Sequence, residues 1–356
     1  MNLDNINEIR RLDSQNMLGS LQFLGKQIEQ VLEQSKSIKV PSVYKKVSNI
    51  VVLGMGGSAL GAHVIKTVFQ GELAVPLEIV NGYHVPGFVN KNSLVVVSSY
   101  SGTTEEPLAA MQEAQKRKAK LLIITSGGML RTVAKKNKIP ALIFTTEKNP
   151  CGSPRMGLGY SIVGQFILLS KAGLLEMGRK QYSEITAAIE RAEQRFGAAA
   201  VTQHNRAKQL AEKTADRSVW YVAAEHLGGN AHVAANQMNE NAKRFAGHFL
   251  VPELNHHLME GMLQPPSNKE HSVFILIESS LYDKRVQKRF DITRKVLDKN
   301  GILYVRYVCQ EKTKLAQAAE VLVLGSYVSY YSAILQGIDP TAIPFVDFFK
   351  SQLATN

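Results

Sequence analysis

Five short runs of aliphatic residues, Ile50–Leu53, Leu77–Val80, Leu94–Val97, Leu121–Ile124 and Ala141–Phe144, punctuate the first half of this chain. Apart from Glu78 each is apolar at successive positions, so both faces need burial, and stretches with helical periodicity separate one run from the next. A parallel sheet covered by helices on both sides meets that requirement. A helix from about Tyr160 to Leu175 closes the unit. The rhythm then resumes with Val219–Ala223, Val273–Ile277, Leu303–Val308 and Val321–Leu324, which predicts a second unit of the same kind, a diverged copy of the first. The expected fold class is α/β, with two tandem doubly wound units of flavodoxin- or Rossmann-like character. A polar N-terminal helical segment, 1–45, carries an apolar face of Leu18, Leu21, Leu24, Ile28 and Leu32. The first unit is expected over 46–177 and the second over 178–335, beginning with a polar helical stretch. A turn at Gly337–Thr341 leads into a last helix within 336–356. With 356 residues, each unit has length enough for its own core.

The net charge of +12 suits anionic partners, yet the Lys and Arg residues are scattered, and Trp220 is the one tryptophan. Neither a basic run nor a nucleic-acid recognition motif is present, so a small anionic substrate explains the charge better than nucleic acid does. Cys151 and Cys309 lie far apart without CxxC spacing, which implies neither a disulfide framework nor a thiolate zinc site and points to a reducing cytoplasm. The N-terminus lacks the basic flank and apolar core of a signal peptide, and no stretch is expected to reach membrane-spanning length.

Two loops carry the chemistry of the first unit. Ser98-Ser99-Tyr100-Ser101-Gly102-Thr103-Thr104 follows a buried strand and delivers five Ser or Thr hydroxyls ahead of a helix start. Unpartnered N–H groups and partial positive charge make that position fit for a phosphate. Helix capping is the plainer explanation, with Glu105, Glu106 and Pro107 as an acidic first turn, but a cap uses one hydroxyl and this loop offers several. The loop after the first strand, Gly54-Met55-Gly56-Gly57-Ser58-Ala59-Leu60-Gly61, again sets glycines and a serine at a strand-to-helix turn. It is not a dinucleotide fingerprint, because Ala59 stands where the third glycine belongs.

In Gln237-Met238-Asn239-Glu240-Asn241-Ala242-Lys243 a single carboxylate sits among amides. Burial would raise its pKa toward that of a working base, with the amides fixing its orientation; an exposed helix glutamate is the alternative. Pro252-Glu253-Leu254-Asn255-His256-His257 presents two adjacent imidazoles that face different ways on any regular element. Proton transfer is the natural role for one of them, since Glu260 four residues after His256 gives only a weak metal pattern. Arg155 follows a proline-stiffened turn and could stabilise an enediolate without losing its own proton, unless it is a surface arginine.

Together GMGGSALG at 54–61, SSYSGTT at 98–104, TSGG at 125–128, Pro154-Arg155, QMNENAK at 237–243 and PELNHH at 252–257 resemble the bifunctional phosphoglucose/phosphomannose isomerases of the sugar-isomerase (SIS) superfamily. The resemblance covers nearly the whole chain. It implies that Gly56, Gly57, Ser58, Ser99, Ser101 and Thr104 hold the sugar phosphate. Arg155 would stabilise the enediolate, Glu240 would be the base at carbon 2, and His256 would open the ring. It further implies a homodimer whose active site is shared across the interface, with the histidine reaching over, no metal or cofactor, and a substrate contact from Lys350. Val233 and Ala235 stand where many relatives carry an arginine and a lysine, and Thr341 is the counterpart of a threonine linked to use of mannose 6-phosphate. Two other readings share the phosphate loop: an enzyme of amino sugar phosphates and a non-catalytic sugar-phosphate sensor. No helix-turn-helix pattern in the first 45 residues supports a regulator.

Overall fold

The computed structural model describes residues 1–354. The five runs of the first half become β1 (Asn49–Leu53), β2 (Leu77–Val80), β3 (Ser93–Ser98), β4 (Lys120–Thr125) and β5 (Ala141–Ile143). They pair in parallel in the order β2-β1-β3-β4-β5, with Val52 opposite Val96 and Leu53 opposite Val97. Every residue of β3 is buried, as a strand covered on both faces requires. The order reverses between β1 and β3. Ligands in open parallel sheets bind at that switch point, outside the carboxyl ends of the strands, and both hydroxyl-bearing loops leave from there.

The second sheet is β6 (Ser218–Ala224), β7 (Ala246–Val251), β8 (Ser272–Glu278) and β9 (Leu303–Val308), parallel in the order β7-β6-β8-β9. Strand for strand this repeats β2-β1-β3-β4. Three expectations need correction. Strand β7 has no counterpart among the aliphatic runs, because it is an edge strand whose residues are mostly half-buried and whose sequence is Ala-Gly-His-Phe-Leu-Val. Conversely Val321–Leu324 is not a strand but part of a helix, Lys314–Leu335, of which nineteen residues, Ala316 to Ile334, are buried. That helix is also long and apolar enough to cross a membrane by length and composition, contrary to the expectation that no stretch would be. It is instead the core helix of the molecule, packed against Gly228–Ala242, Arg179–Phe196 and Arg206–Lys213.

The N-terminal helices Ile6–Leu12, Met17–Gln22 and Leu24–Gln34 lie in a segment that touches both units. Lys208 Nζ reaches Asp4 at 2.9 Å, and Tyr330 donates to the Asp13 carboxylate at 2.9 Å. Gln27, fully buried, donates from Nε2 to the carbonyls of Lys148 and Met156 and accepts from the Gly159 amide, all at 3.0 Å. One amide side chain thus pins both ends of the loop that carries Arg155.

Candidate active site

Ser58 and the β3 loop are tied into one surface. The Tyr100 amide donates to Ser58 Oγ at 2.9 Å, and Ser98 Oγ donates to the Ser58 carbonyl at 2.8 Å. Ser99 Oγ lies 2.9 Å from Thr104 Oγ1 and accepts from the Gly102 amide at 3.1 Å. Thr104 occupies the N-cap position of helix Glu105–Lys116 but makes no capping hydrogen bond, because its hydroxyl is turned to Ser99. The capping explanation for this loop therefore lacks its bond, and the first turn faces the loop without a side-chain cap. Gly102, at φ +72°, backs directly onto the Gly127 carbonyl, where any side chain would collide. Ser101 and Thr103 are exposed, with both the Thr103 amide and its hydroxyl donating to Ser101 Oγ.

Arg155 joins this loop to the second unit. It lies in a short turn, Pro154–Met156, whose backbone packs so closely on Gly57 that a Cβ there would stand 2.7 Å from the Arg155 amide nitrogen. The side chain crosses to the far unit and is buried, 2% exposed, so it is not a surface arginine. Its Nε donates to Asn241 Oδ1 at 2.6 Å, its Nη2 to the carbonyls of Pro340 at 3.0 Å and Thr341 at 2.8 Å, and its Nη1 to Glu240 Oε2 at 3.4 Å.

Glu240 lies near the end of helix Gly228–Ala242, with its side chain about one-third exposed at 32%. Burial raises its pKa above the ordinary carboxylate value, and the charges of Arg155, Lys350 and Lys243 oppose that rise. The surrounding amides do other work than the sequence suggests. Gln237 pairs with Ser326, Asn239 with the backbone of Ala246, and Asn241 with Arg155 and Ser329; among the described residues no amide bonds the Glu240 carboxylate. Lys243, beyond the helix end, donates to the carbonyls of Asn241 at 3.0 Å and Asp339 at 2.7 Å, and burial lowers its pKa to about 8. In the sequence it is marked only as the last residue of QMNENAK, with no role assigned to it. Lys350 is exposed on helix Pro344–Ala354 within electrostatic reach of Glu240. Thr341, 6% exposed, has a hydroxyl without a hydrogen-bond partner among the described residues, beside the Arg155 anchor.

His256 is not in this group. It is exposed on helix Leu254–Gly261 and takes no side-chain partner among the described residues. Its neighbour His257 lies 3.9 Å from Glu253 and tilts against Phe249. A hydroxyl loop at a switch point, a buried arginine and a base-like carboxylate therefore converge within one chain, while the imidazole stands apart.

Similarity to known proteins identifies the family. Residues 203–353 match the bacterial phospho-glucose isomerase C-terminal SIS domain, and residues 43–151 match the SIS domain. A bifunctional phosphoglucose/phosphomannose isomerase of Caldicellulosiruptor bescii is 30% identical over 95% of this chain and 99% of its own length. This chain belongs to the bifunctional phosphoglucose/phosphomannose isomerase family. A second member, from Thermoplasma acidophilum, is 29% identical over 86% of this chain and 90% of its own. The fold of this family member is shared with a hypothetical protein of Thermus thermophilus, at a TM-score of 0.71 and 17% identity over 98% of this chain and 94% of that one.

Proposed function

We propose that this isomerase interconverts glucose 6-phosphate and mannose 6-phosphate with fructose 6-phosphate through a cis-enediol, using Glu240 as the base. The observation that carries the proposal is the Arg155–Glu240 pair: a carboxylate raised toward the pKa of a useful base, facing a buried cation, on a turn packed against the Gly57–Ser58 loop. The phosphate docks on Gly56, Gly57, Ser58, Ser99, Ser101 and Thr104 and holds the sugar by a group remote from the reacting carbons. Glu240 takes the proton from carbon 2 of the open aldose, and the electron pair of the broken C–H bond forms the enediol double bond as the carbonyl oxygen O1 gains charge; the O2 hydroxyl proton then passes to O1, and as the carbon 2 carbonyl forms Glu240 returns its proton to carbon 1. Arg155 balances that charge. A planar carbon 2 lets both epimers share the intermediate, with the unpartnered Thr341 hydroxyl available to the epimeric position and Lys350 at the mouth.

His256 serves ring opening from the partner copy in a homodimer. Its exposure and its lack of a side-chain partner among the described residues of its own chain support this, as does helix Pro344–Ala354, where Phe345, Phe348 and Phe349 are 84%, 64% and 63% exposed. Aromatic surface of that kind marks an interaction site. Free, buried Cys151 and Cys309 fit a reducing cytoplasm, where phosphorylated sugars are retained. The test is to incubate the purified protein with fructose 6-phosphate, without added metal, and follow both aldoses. Both products are expected. Glucose 6-phosphate alone would narrow the activity to one epimer, and binding with neither product would overturn the isomerase.

A further inference from the structure

We infer that Asn241 and Ser329 are positioning residues that determine which nitrogen of Arg155 faces the reacting carbons; the inference rests on the isomerase reading above. A guanidinium carries five N–H bonds. Three of them end on neutral oxygens: Nε–H on Asn241 Oδ1, and both Nη2 protons on the Pro340 and Thr341 carbonyls. Only Nη1 remains, and it lies on the Glu240 side. Because every anchor is neutral, none of them cancels the cation that Glu240 and the enediolate need.

The sense of the Asn241 amide is dictated from the core. Ser329 Oγ gives its proton to the Ser326 carbonyl at 2.9 Å, so toward Asn241 it can only accept, and it accepts from Nδ2 at 3.0 Å. That leaves Oδ1 for the Arg155 Nε–H; a flipped amide would set donor against donor. Asn241 and Ser329 are both fully buried, so water does not compete for either group. One turn earlier, Gln237 grips Ser326 at 2.9 Å, which locks the 228–242 helix to the core helix in the same register. A proton direction fixed in the core helix thus passes through hydroxyl and amide to the orientation of the guanidinium.

The test uses full-length Asn241→Asp and Ser329→Ala, singly and combined. Kinetics are measured against pH, and calorimetry compares two unreactive ligands of matched chain, a five-carbon aldonate phosphate that mimics the enediolate and a pentitol phosphate that lacks the carboxylate. Asn241→Asp keeps the shape but neutralises the cation. Its kcat should fall roughly 10- to 100-fold with KM within about threefold, and the acid limb of its rate profile should move to higher pH because Glu240 loses part of its favourable field. The aldonate should lose affinity while the pentitol does not. Ser329→Ala should act in the same direction but more weakly, and should add little to Asn241→Asp, whose carboxylate has no amide sense to protect. An unchanged ligand ratio and pH profile in either folded single variant, or losses that merely follow the folded fraction, would overturn the relay. A wild type that binds both ligands but does not isomerise would overturn the reaction and leave the ligand ratio to decide the relay.

Discussion

At the scale of single residues, Glu240 is held between opposing influences. Burial favours the neutral acid, while Arg155, Lys350 and Lys243 favour the anion, and the rise wins. As the proposed base, Glu240 must be deprotonated to act, so activity should be lost as pH falls through a value above the ordinary 4.5 of glutamate. The measurement is kcat/KM against pH; an acid limb at or below that value would count against Glu240. Lys350→Ala removes one of the three cations and should push the limb higher still. Glu240→Gln should lower turnover by about 10²- to 10⁴-fold while leaving affinity for a sugar-alcohol phosphate intact. The carboxylate itself was readable in the sequence, as a lone acid among amides. The duties of those amides were not, because they depend on Arg155 Nε and Ser329, which stand 86 and 88 positions from Asn241 along the chain.

At the scale of elements, what was legible followed from burial. Strands β1, β3 and β4 lie inside a sheet covered on both faces and show as unbroken aliphatic runs. The same logic misled at Val321–Leu324, since a helix buried all round has no amphipathic period and its apolar stretches look like strand. Helix packing also creates a feature with no local signal: His63 on helix Leu60–Val68 stacks on His232 at 3.9 Å, and His248 from β7 meets His232 edge-on at 4.8 Å. Burial, mutual repulsion and, for His63, nearby Lys66 lower the pKa of His63 and His232 to about 4, from 6.5; burial lowers that of His248 too. The unfolded chain therefore binds protons first, and stability should decline as pH falls from 6.5 toward 4. Unfolding midpoints in urea across that range should drop for the wild type and flatten in the double variant His63→Gln/His232→Gln. Parallel curves would mean that the trio does not set the acid limit. This seam joins the helix behind the Ser58 loop to the helix carrying Glu240, so its loosening would reach the site from both sides.

At the scale of the whole molecule, two similar sheets have come to unlike ends. Where β3 terminates in Ser98 and the hydroxyl loop, β8 terminates in Glu278, whose carboxylate is already held by Arg294 at 2.9 Å and Arg306 at 2.8 Å, and the following Ser279 donates to Gln317 at 2.6 Å. The Glu278 carboxylate repels a phosphate and the Ser279 hydroxyl is already spent, so in the proposed site the second unit supplies Glu240 and its supports instead. The remaining group, His256, projects from the second unit into solvent, and the exposed aromatics of helix Pro344–Ala354 call for a covering surface. On the proposed shared site, Glu240→Gln and His256→Ala are each deficient on cyclic substrate as homodimers for different reasons. Unfolded together and refolded, half the dimers should be mixed. In each mixed dimer one site receives Glu240 from one chain and His256 from the other, while the second site lacks both. Activity on cyclic glucose 6-phosphate should then recover to about one quarter of wild type, the product of those two halves. If each site is built from a single chain, mixing yields no more than the average of the two variants, and the shared site is overturned. His257→Ala, paired with Glu240→Gln in the same way, shows which of the adjacent histidines crosses.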